Sequence, residues 1–328
     1  MTSIRYGAAT DPGRKRRRNE DQHVVEPPLF AVADGMGGAQ AGELASGLAA
    51  AAVKDETGAG RSGKQRVVDV IQEANRRVYQ RSSEDAAVSG MGTTMTVALV
   101  EDSRIFFAHV GDSRAYVIRG GRLEQLTEDH SLVAELVRSG KLSPEEAETH
   151  PQRSVITRAL GTDPDVDPDT FSVDTAPGDL FMICSDGLTA MVDDEAILAE
   201  IEGHRQDLRA AAKALVRAAN RRGGEDNITV VLFEIAADGE SLEETAPLPA
   251  VEEEPEPVQD EDTLDELDRV PAVSTMVLSA EEAARLRERP TEPRRQPKRR
   301  RGRRAAFMLL LLLVLLVVAA LVVWGLRR

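Results

Sequence analysis

Short apolar runs, most ending at a glycine or a carboxylate, alternate through the first 237 residues with longer stretches whose apolar positions recur every three to four residues. The short runs predict strands at 4–10, 29–33, 93–101, 104–110, 115–119, 122–125, 179–185 and 227–235. The longer stretches predict helices at 42–56, 64–82, 131–139, 193–201 and 207–222, the last stopped by Gly223-Gly224. Gly120-Gly121 falls between two strands, as a two-residue hairpin turn requires. Strands that mostly follow one another through hairpins, with helices in separate blocks, argue for antiparallel sheets covered by helices rather than a doubly wound parallel sheet. Residues 1–237 thus read as one globular α+β domain.

The pattern then breaks twice. Residues 238–268 hold fourteen Asp or Glu, no Lys or Arg, and four prolines. A segment of that composition buries too little apolar surface to offset its ordering entropy, so 238–284 is expected to be a disordered linker. Within it, 270–283 has the length of a short docking motif but no specific signature. Polarity inverts at 285–304, which carries eleven Lys or Arg, and 305–324 is a twenty-residue run without a charge or a proline. Twenty helical residues span about 30 Å, the thickness of a bilayer core. A buried soluble helix would need one polar face, and no face here is polar. Eight basic residues at 294–304 against two after Trp324 predict a single-pass plasma-membrane anchor. The 1–237 domain is then cytoplasmic, with only 325–328 on the far side. The basic flank suits anionic lipid headgroups.

Composition narrows the partners. A formal charge of −15 disfavours nucleic acid, which needs a basic face, and 3% aromatic residues offer little for base stacking. The polar sequence after Met1 is no secretory signal, and one cysteine, Cys184, excludes an internal disulfide.

Four acidic clusters carry the candidate chemistry: Asn19-Glu20-Asp21, Asp34-Gly35-Met36-Gly37-Gly38, Ser185-Asp186-Gly187 and Asp226-Asn227. Each sets an Asp at the end of an apolar run or beside a Gly, where a strand gives way to a turn. Carboxylates at strand ends can converge in space, and converging carboxylates repel unless cations neutralise them. The natural tenant is a hard divalent metal with oxygen ligands.

Around those clusters the chain resembles the PPM family, the metal-dependent Ser/Thr protein phosphatases once called type 2C. The matching residues are Thr10-Asp11-Pro12-Gly13 with Arg16-Arg17-Arg18-Asn19-Glu20-Asp21, then Asp34-Gly35-Met36-Gly37-Gly38, then Gly90-Met91-Gly92-Thr93-Thr94. Val110-Gly111-Asp112-Ser113-Arg114-Ala115-Tyr116, Cys184-Ser185-Asp186-Gly187-Leu188 and Glu225-Asp226-Asn227 follow in the family's order. With the tail anchor, the chain is most similar to the actinobacterial membrane-anchored members, which oppose receptor-like Ser/Thr kinases. The resemblance implies a four-layer α/β/β/α sandwich of two antiparallel sheets flanked by helices, followed here by one transmembrane helix.

It also implies roles. Asp34 bridges two metals, Mn²⁺ or Mg²⁺, and Gly35 lends one its backbone carbonyl. Asp186 and Asp226 complete that metal's protein ligands, while Glu20 and Asp21 order the water around the pair. Asp112, with Asp186, matches the position of a third, weaker metal. Such a pair lowers the pKa of a bridging water and aims the hydroxide at phosphorus. Arg16 stands five residues before Asp21, the family's spacing for the phosphate-binding arginine. Read without the family, the Arg14–Arg18 run is a solvated loop or a nucleic-acid patch.

Many eukaryotic members carry a histidine two residues after the bridging aspartate; this chain has Met36, as bacterial members do. The leaving oxygen's proton is then expected from water on a metal. His130 and His150 lie in 129–157, which matches the family's flap; either could reach the cleft to supply that proton, but each is expected at the surface. Cys184 lacks the phosphate-cradling loop of Cys-dependent phosphatases and reads as an inert core residue. Ser113 and Ser185 have no histidine placed by a motif to activate them. Met36 and Met91 are expected as gap-fillers.

The expected function is hydrolysis of phospho-Ser/Thr in proteins without a covalent intermediate, with membrane Ser/Thr kinases and their substrates as clients. Competing readings are a phosphoprotein-binding pseudophosphatase, whose signature would be a lost metal aspartate, and a phosphatase of a sigma-factor pathway.

Overall fold

The computed structural model describes residues 4–37, 41–56, 61–235 and 276–277. In chain order the strands are β1 (Ile4–Asp11), β2 (Asp21–Glu26), β3 (Leu29–Met36), β4 (Gly92–Thr93), β5 (Met95–Glu101), β6 (Arg104–Val110), β7 (Arg114–Arg119), β8 (Arg122–Gln125), β9 (Val155–Ile156), β10 (Asp169–Asp174), β11 (Leu180–Cys184), β12 (Ile228–Ile235) and β13 (Met276–Val277). The α-helices are α1 (Ala41–Lys54), α2 (Gly63–Glu84), α3 (Leu132–Arg138), α4 (Pro144–Glu148), α5 (Asp186–Thr189), α6 (Asp194–Gly203) and α7 (Leu208–Arg221).

A five-stranded sheet runs β1-β12-β11-β7-β8 and a six-stranded sheet runs β10-β6-β5-β3-β2 with β4 paired to β3 as its sixth strand, and every pairing in both is antiparallel. Side-chain alternation sorts the apolar residues into layers. Leu180, Met182 and Cys184 of β11 join Leu208, Ala211 and Leu215 of α7 on the outer side. Phe181 and Ile183 turn the other way and meet Phe30, Val32 and Phe107 of the second sheet. Leu29, Ala31 and Ala33 of β3 pack against Ala49, Val53, Val67 and Ile71 of α1 and α2. The layers are therefore helices, sheet, sheet, helices. Between the sheets Phe30 stacks on Phe233 at 4.3 Å between ring centroids, and Phe181 lies 5.5 Å from Phe233. With both faces covered, the central strands β3, β11 and β12 are apolar almost throughout.

Four strands escape the sequence pattern, β9 and β13 because two residues are too few to show one. β2 (Asp-Gln-His-Val-Val-Glu) and β10 (Asp-Thr-Phe-Ser-Val-Asp) are the two edges of the six-stranded sheet, where one side of the backbone is open and polar residues are tolerated. β8 is also a polar edge strand, but its turn betrays it. Gly120 (φ 56°) and Gly121 (φ 71°) both occupy the left-handed region that the hairpin demands. The expected strand at 93–101 is two strands, parted at Thr94. α4, also unpredicted, has a full capping box between Ser143 and Glu146 with proline at its start.

Among the described residues no helix is long and apolar enough to cross a membrane. The expected linker falls outside them apart from β13, and the basic segment, the span at 305–324 and the tail at 325–328 lie wholly outside.

Candidate metal and phosphate site

Strand ends deliver the acidic side chains. Asp34 lies near the end of β3, and the β2–β3 register sets it directly opposite Asp21. β11 and β12 are sheet neighbours, so Asp186, the residue after the Ser185 that follows β11, and Asp226, just before β12, emerge close together. Asp112 occupies the turn from β6 to β7.

Their mutual fields report the convergence. Burial, then Asp21, Asp186, Asp226 and Asp112 in turn, lift the Asp34 carboxyl well above the usual carboxylate range. Burial followed by Asp112, Asp226 and Asp21 does the same to Asp186. Asp112 is pushed up to about 7 by burial and Asp129, against the pull of Arg114. Asp21 rises to about 6 through burial, although hydrogen bonds from Thr229 and Ser185 oppose the shift. Carboxylates that hinder one another's ionisation form a donor set short of positive charge.

One atom is left over: Asp21 Oδ1 is buried without a hydrogen-bond partner. Among the described residues no three His, Cys, Asp or Glu side chains close into a cage of their own. Cations here would keep much of their water, as Mg²⁺ characteristically does. All-oxygen donors, excess negative charge and an orphaned carboxylate oxygen fit hard divalent cations.

The backbone around Asp34 is tightly held. Its N–H donates to Thr94 Oγ1 (3.1 Å), its carbonyl accepts from Thr94 N (2.9 Å) and Thr93 Oγ1 (2.8 Å), and Thr94 Oγ1 shares a 2.8 Å bond with Ser113 Oγ. Gly35 donates its N–H to the Glu20 carbonyl (3.1 Å). A Cβ on Gly35 would stand 2.1 Å from the Gly42 carbonyl oxygen, so no other residue lets β3 approach α1 this closely. Glu20, beside Gly42, has its pKa raised by burial first, then by Asp226 and Glu43 against Arg16.

In the run Arg14–Arg18 only Arg16 is half-buried; the other four are exposed. Arg16 Nη2 pairs with Asp226 Oδ2 at 2.7 Å. Burial works against its charge, but Asp226, Glu20 and Asp34 outweigh that and raise its pKa. A guanidinium thus stands among the carboxylates, with the planar fork that suits a tetrahedral phosphate.

The family model for protein phosphatase 2C matches residues 13–228. The chain belongs to the protein phosphatase 2C family. It is a metal-dependent serine/threonine protein phosphatase. It is 42% identical over 236 residues to the serine/threonine phosphatase stp of Listeria innocua, covering 69% of this chain and 93% of that one. The crystal structure of the serine/threonine phosphatase PstP/Ppp of Mycobacterium tuberculosis matches with a TM-score of 0.68 and 38% identity, over 71% of this chain and 99% of that one. The catalytic domain of PstP in complex with two manganese ions matches with a TM-score of 0.66 and 36% identity, again over 71% and 99%.

Three further features of this protein phosphatase 2C chain escape sequence reasoning. Asn227 is a strut: its Oδ1 accepts from Glu20 N (2.8 Å), and its Nδ2 donates to the carbonyls of Pro12 (2.9 Å) and Arg18 (2.8 Å). One side chain thereby fixes both flanks of the arginine loop against Asp226. Its place beside Asp226 in a matched motif is the only hint the sequence offers. Ser185 is no nucleophile; its Oγ donates to Asp21 Oδ2 (2.8 Å) and accepts from Thr229 N (3.0 Å), holding Asp21 in place. His130 is not at the surface as expected. It is buried, Nδ1 accepts the Gly111 N–H (3.0 Å), and Nε2 faces Asp169 at 3.1 Å. Burial and then Arg158 depress its pKa, so it is a structural clasp on the turn bearing Asp112. His150, by contrast, is partly exposed. Cys184 is fully buried in the α7-facing core, as a core residue should be, and burial pushes its thiol up to about 12. Met36 and Met91 are buried gap-fillers.

Proposed function

We propose that the chain removes phosphate from phosphoserine and phosphothreonine in proteins by a single displacement by water. Two cations, Mn²⁺ or Mg²⁺, would be held by Asp34, the Gly35 carbonyl, Asp186 and Asp226, with Asp112 and Asp186 taking a third. One observation carries the proposal: Asp34 feels Asp21, Asp186, Asp226 and Asp112 together, with the Arg16 guanidinium among them. When bound, such cations supply a hydroxide at neutral pH and offset charge growing on the phosphoryl oxygens.

The remaining work falls to the chain. Arg16, paired with Asp226 at 2.7 Å, would turn from one carboxylate to the two oxygens of an entering phosphate. Asp21, fixed by Ser185, and Glu20, fixed at its backbone by Asn227, orient water at the cleft floor. Water is the nucleophile because the candidate side chains are spent elsewhere. Cys184 is a buried thiol, and Ser113 and Ser185 are engaged with Thr94 and Asp21. Met36 packs with Ile156 and Ala159 and has no proton to give, so the leaving oxygen takes its proton from water.

We further assign the chain to the actinobacterial membrane-anchored subgroup, with 305–324 as the span, a cytoplasmic catalytic domain, and membrane Ser/Thr kinases and their substrates as clients. The uncharged run, its basic flank and the likeness to PstP support this. In the deciding assay the full chain hydrolyses p-nitrophenyl phosphate with Mn²⁺ or Mg²⁺ and stops on adding EDTA. Turnover that survives chelation and dies with thiol alkylation overturns the proposal.

A further inference from the structure

β9 and β13 form a two-stranded parallel pair remote in sequence, Met276 opposite Val155 and Val277 opposite Ile156. β9 has two edges. Ser131 bridges Ile156 on one of them, and Thr157 N donates to the His130 carbonyl (2.8 Å). β13 pairs with the strand as well, from beyond the catalytic domain. Ile156 itself packs with Met36 and Ala159, and Met36 lies two residues after Asp34. The paired strand is therefore one side-chain layer from the metal-site loop.

We propose that the free edge of β9 is a docking edge for an extended peptide, that the chain's own segment around Met276–Val277 occupies it, and that the docked tail competes there with phosphopeptide substrates. This rests on the phosphatase reading above. The sequence favours this occupant. Residues 270–280 form the longest uncharged run between 238 and 304, and Val273, Thr275 and Val277 are β-branched residues suited to a strand. Ser274 and Thr275 precede the paired residues, so the segment belongs to the chemical class the site acts on, lacking only phosphate. Exposed Arg153, two residues before β9, lies toward the upstream end of the parallel pair and complements the acidic sequence that precedes the segment. Strand addition uses main-chain hydrogen bonds and so tolerates many side chains, which suits a competitor for varied substrates.

The test compares the full chain with the double variant Met276→Pro/Val277→Pro, since proline removes ladder donors. Hydrogen exchange of the Ile156 amide should quicken about three- to tenfold in the variant, the loss of one or two backbone hydrogen bonds. The Val155 and Thr157 amides, given to the Gln152 and His130 carbonyls, should keep their rates. KM for a phosphothreonine peptide should fall by a similar factor, while kcat/KM for p-nitrophenyl phosphate, too small to reach β9, stays unchanged. A synthetic peptide of residues 270–280 added to the variant should restore the higher KM. Unchanged exchange at Ile156, or an unchanged phosphopeptide KM beside normal p-nitrophenyl phosphate turnover, overturns the docking. If neither protein turns over p-nitrophenyl phosphate with Mn²⁺, the phosphatase reading fails, and the exchange at Ile156 still decides the docking.

Discussion

At the scale of single residues, the carboxylates that suit this cleft to metal are a burden on the metal-free fold. Asp112 at about 7 and Asp21 at about 6 both lie above the ordinary Asp value, so between roughly pH 4 and pH 7 the folded chain holds more protons than the unfolded one. Their contribution to stability is therefore lost as pH rises through that window. The metal-free protein should melt a few °C higher at pH 5.5 than at pH 7.5, a difference that saturating Mn²⁺ removes. Asp34→Asn should stabilise the metal-free protein by about 1–2 kcal/mol in thermal melts. In activity assays it and Asp186→Asn should each cut turnover about 100-fold or more, since each withdraws a charged ligand. Wild-type turnover by Asp186→Asn would mean that Asp186 is no ligand. Arg16→Ala should raise KM for phosphopeptide more than it lowers kcat, because the guanidinium already binds phosphate in the ground state. The same change frees Asp226 Oδ2 from its 2.7 Å partner, so half-activation should need less Mn²⁺. Arg14→Ala and Arg18→Ala should do neither; equal effects at all three would mark a diffuse basic patch.

At the scale of elements, the two sheets hold their carboxylate-bearing ends in register through the aromatic stack of Phe30, Phe181 and Phe233. Phe233→Ala should cost about 3–5 kcal/mol in denaturant unfolding, and metal affinity should fall with it because β12 begins two residues after Asp226. Loss of stability with metal affinity intact would show that the strand ends are fixed locally. The same stack explains what the sequence makes legible. Strands buried on both faces, such as β11 and β12, announce themselves as apolar runs, and the aspartates at their ends mark where chemistry sits. The edges β2 and β10 carry too few apolar residues to show a period, yet β2 brings Asp21 opposite Asp34. Nor can the sequence show that Asn227 and Ser185 are spent on struts. Those roles arise only when loops distant in sequence meet, and an asparagine or serine in a turn has many cheaper explanations. His130 defeats expectation similarly, clasped against the backbone of Gly111, a contact that arises only when the β6–β7 turn meets the segment after β8.

At the scale of the whole molecule, separate segments are expected to do separate work. The full chain should sediment with membranes and resist high salt and carbonate, since about twenty buried apolar residues outweigh an electrostatic tether. Deleting 305–328 should release it into the soluble fraction with kcat on p-nitrophenyl phosphate unchanged. Turnover of a membrane-embedded phosphokinase should drop, because confinement to one surface raises effective concentration. Equal rates on that kinase with and without the anchor would show that tethering serves some other end. The lone sulfhydryl of Cys184 has a consequence of another kind. It is sealed in the core at a pKa of about 12, so it supplies almost no thiolate and no path for an oxidant. Peroxide that silences thiol-dependent phosphatases should find no reactive thiol here, and phosphorylation signals would go on being erased while a cell is under oxidative attack.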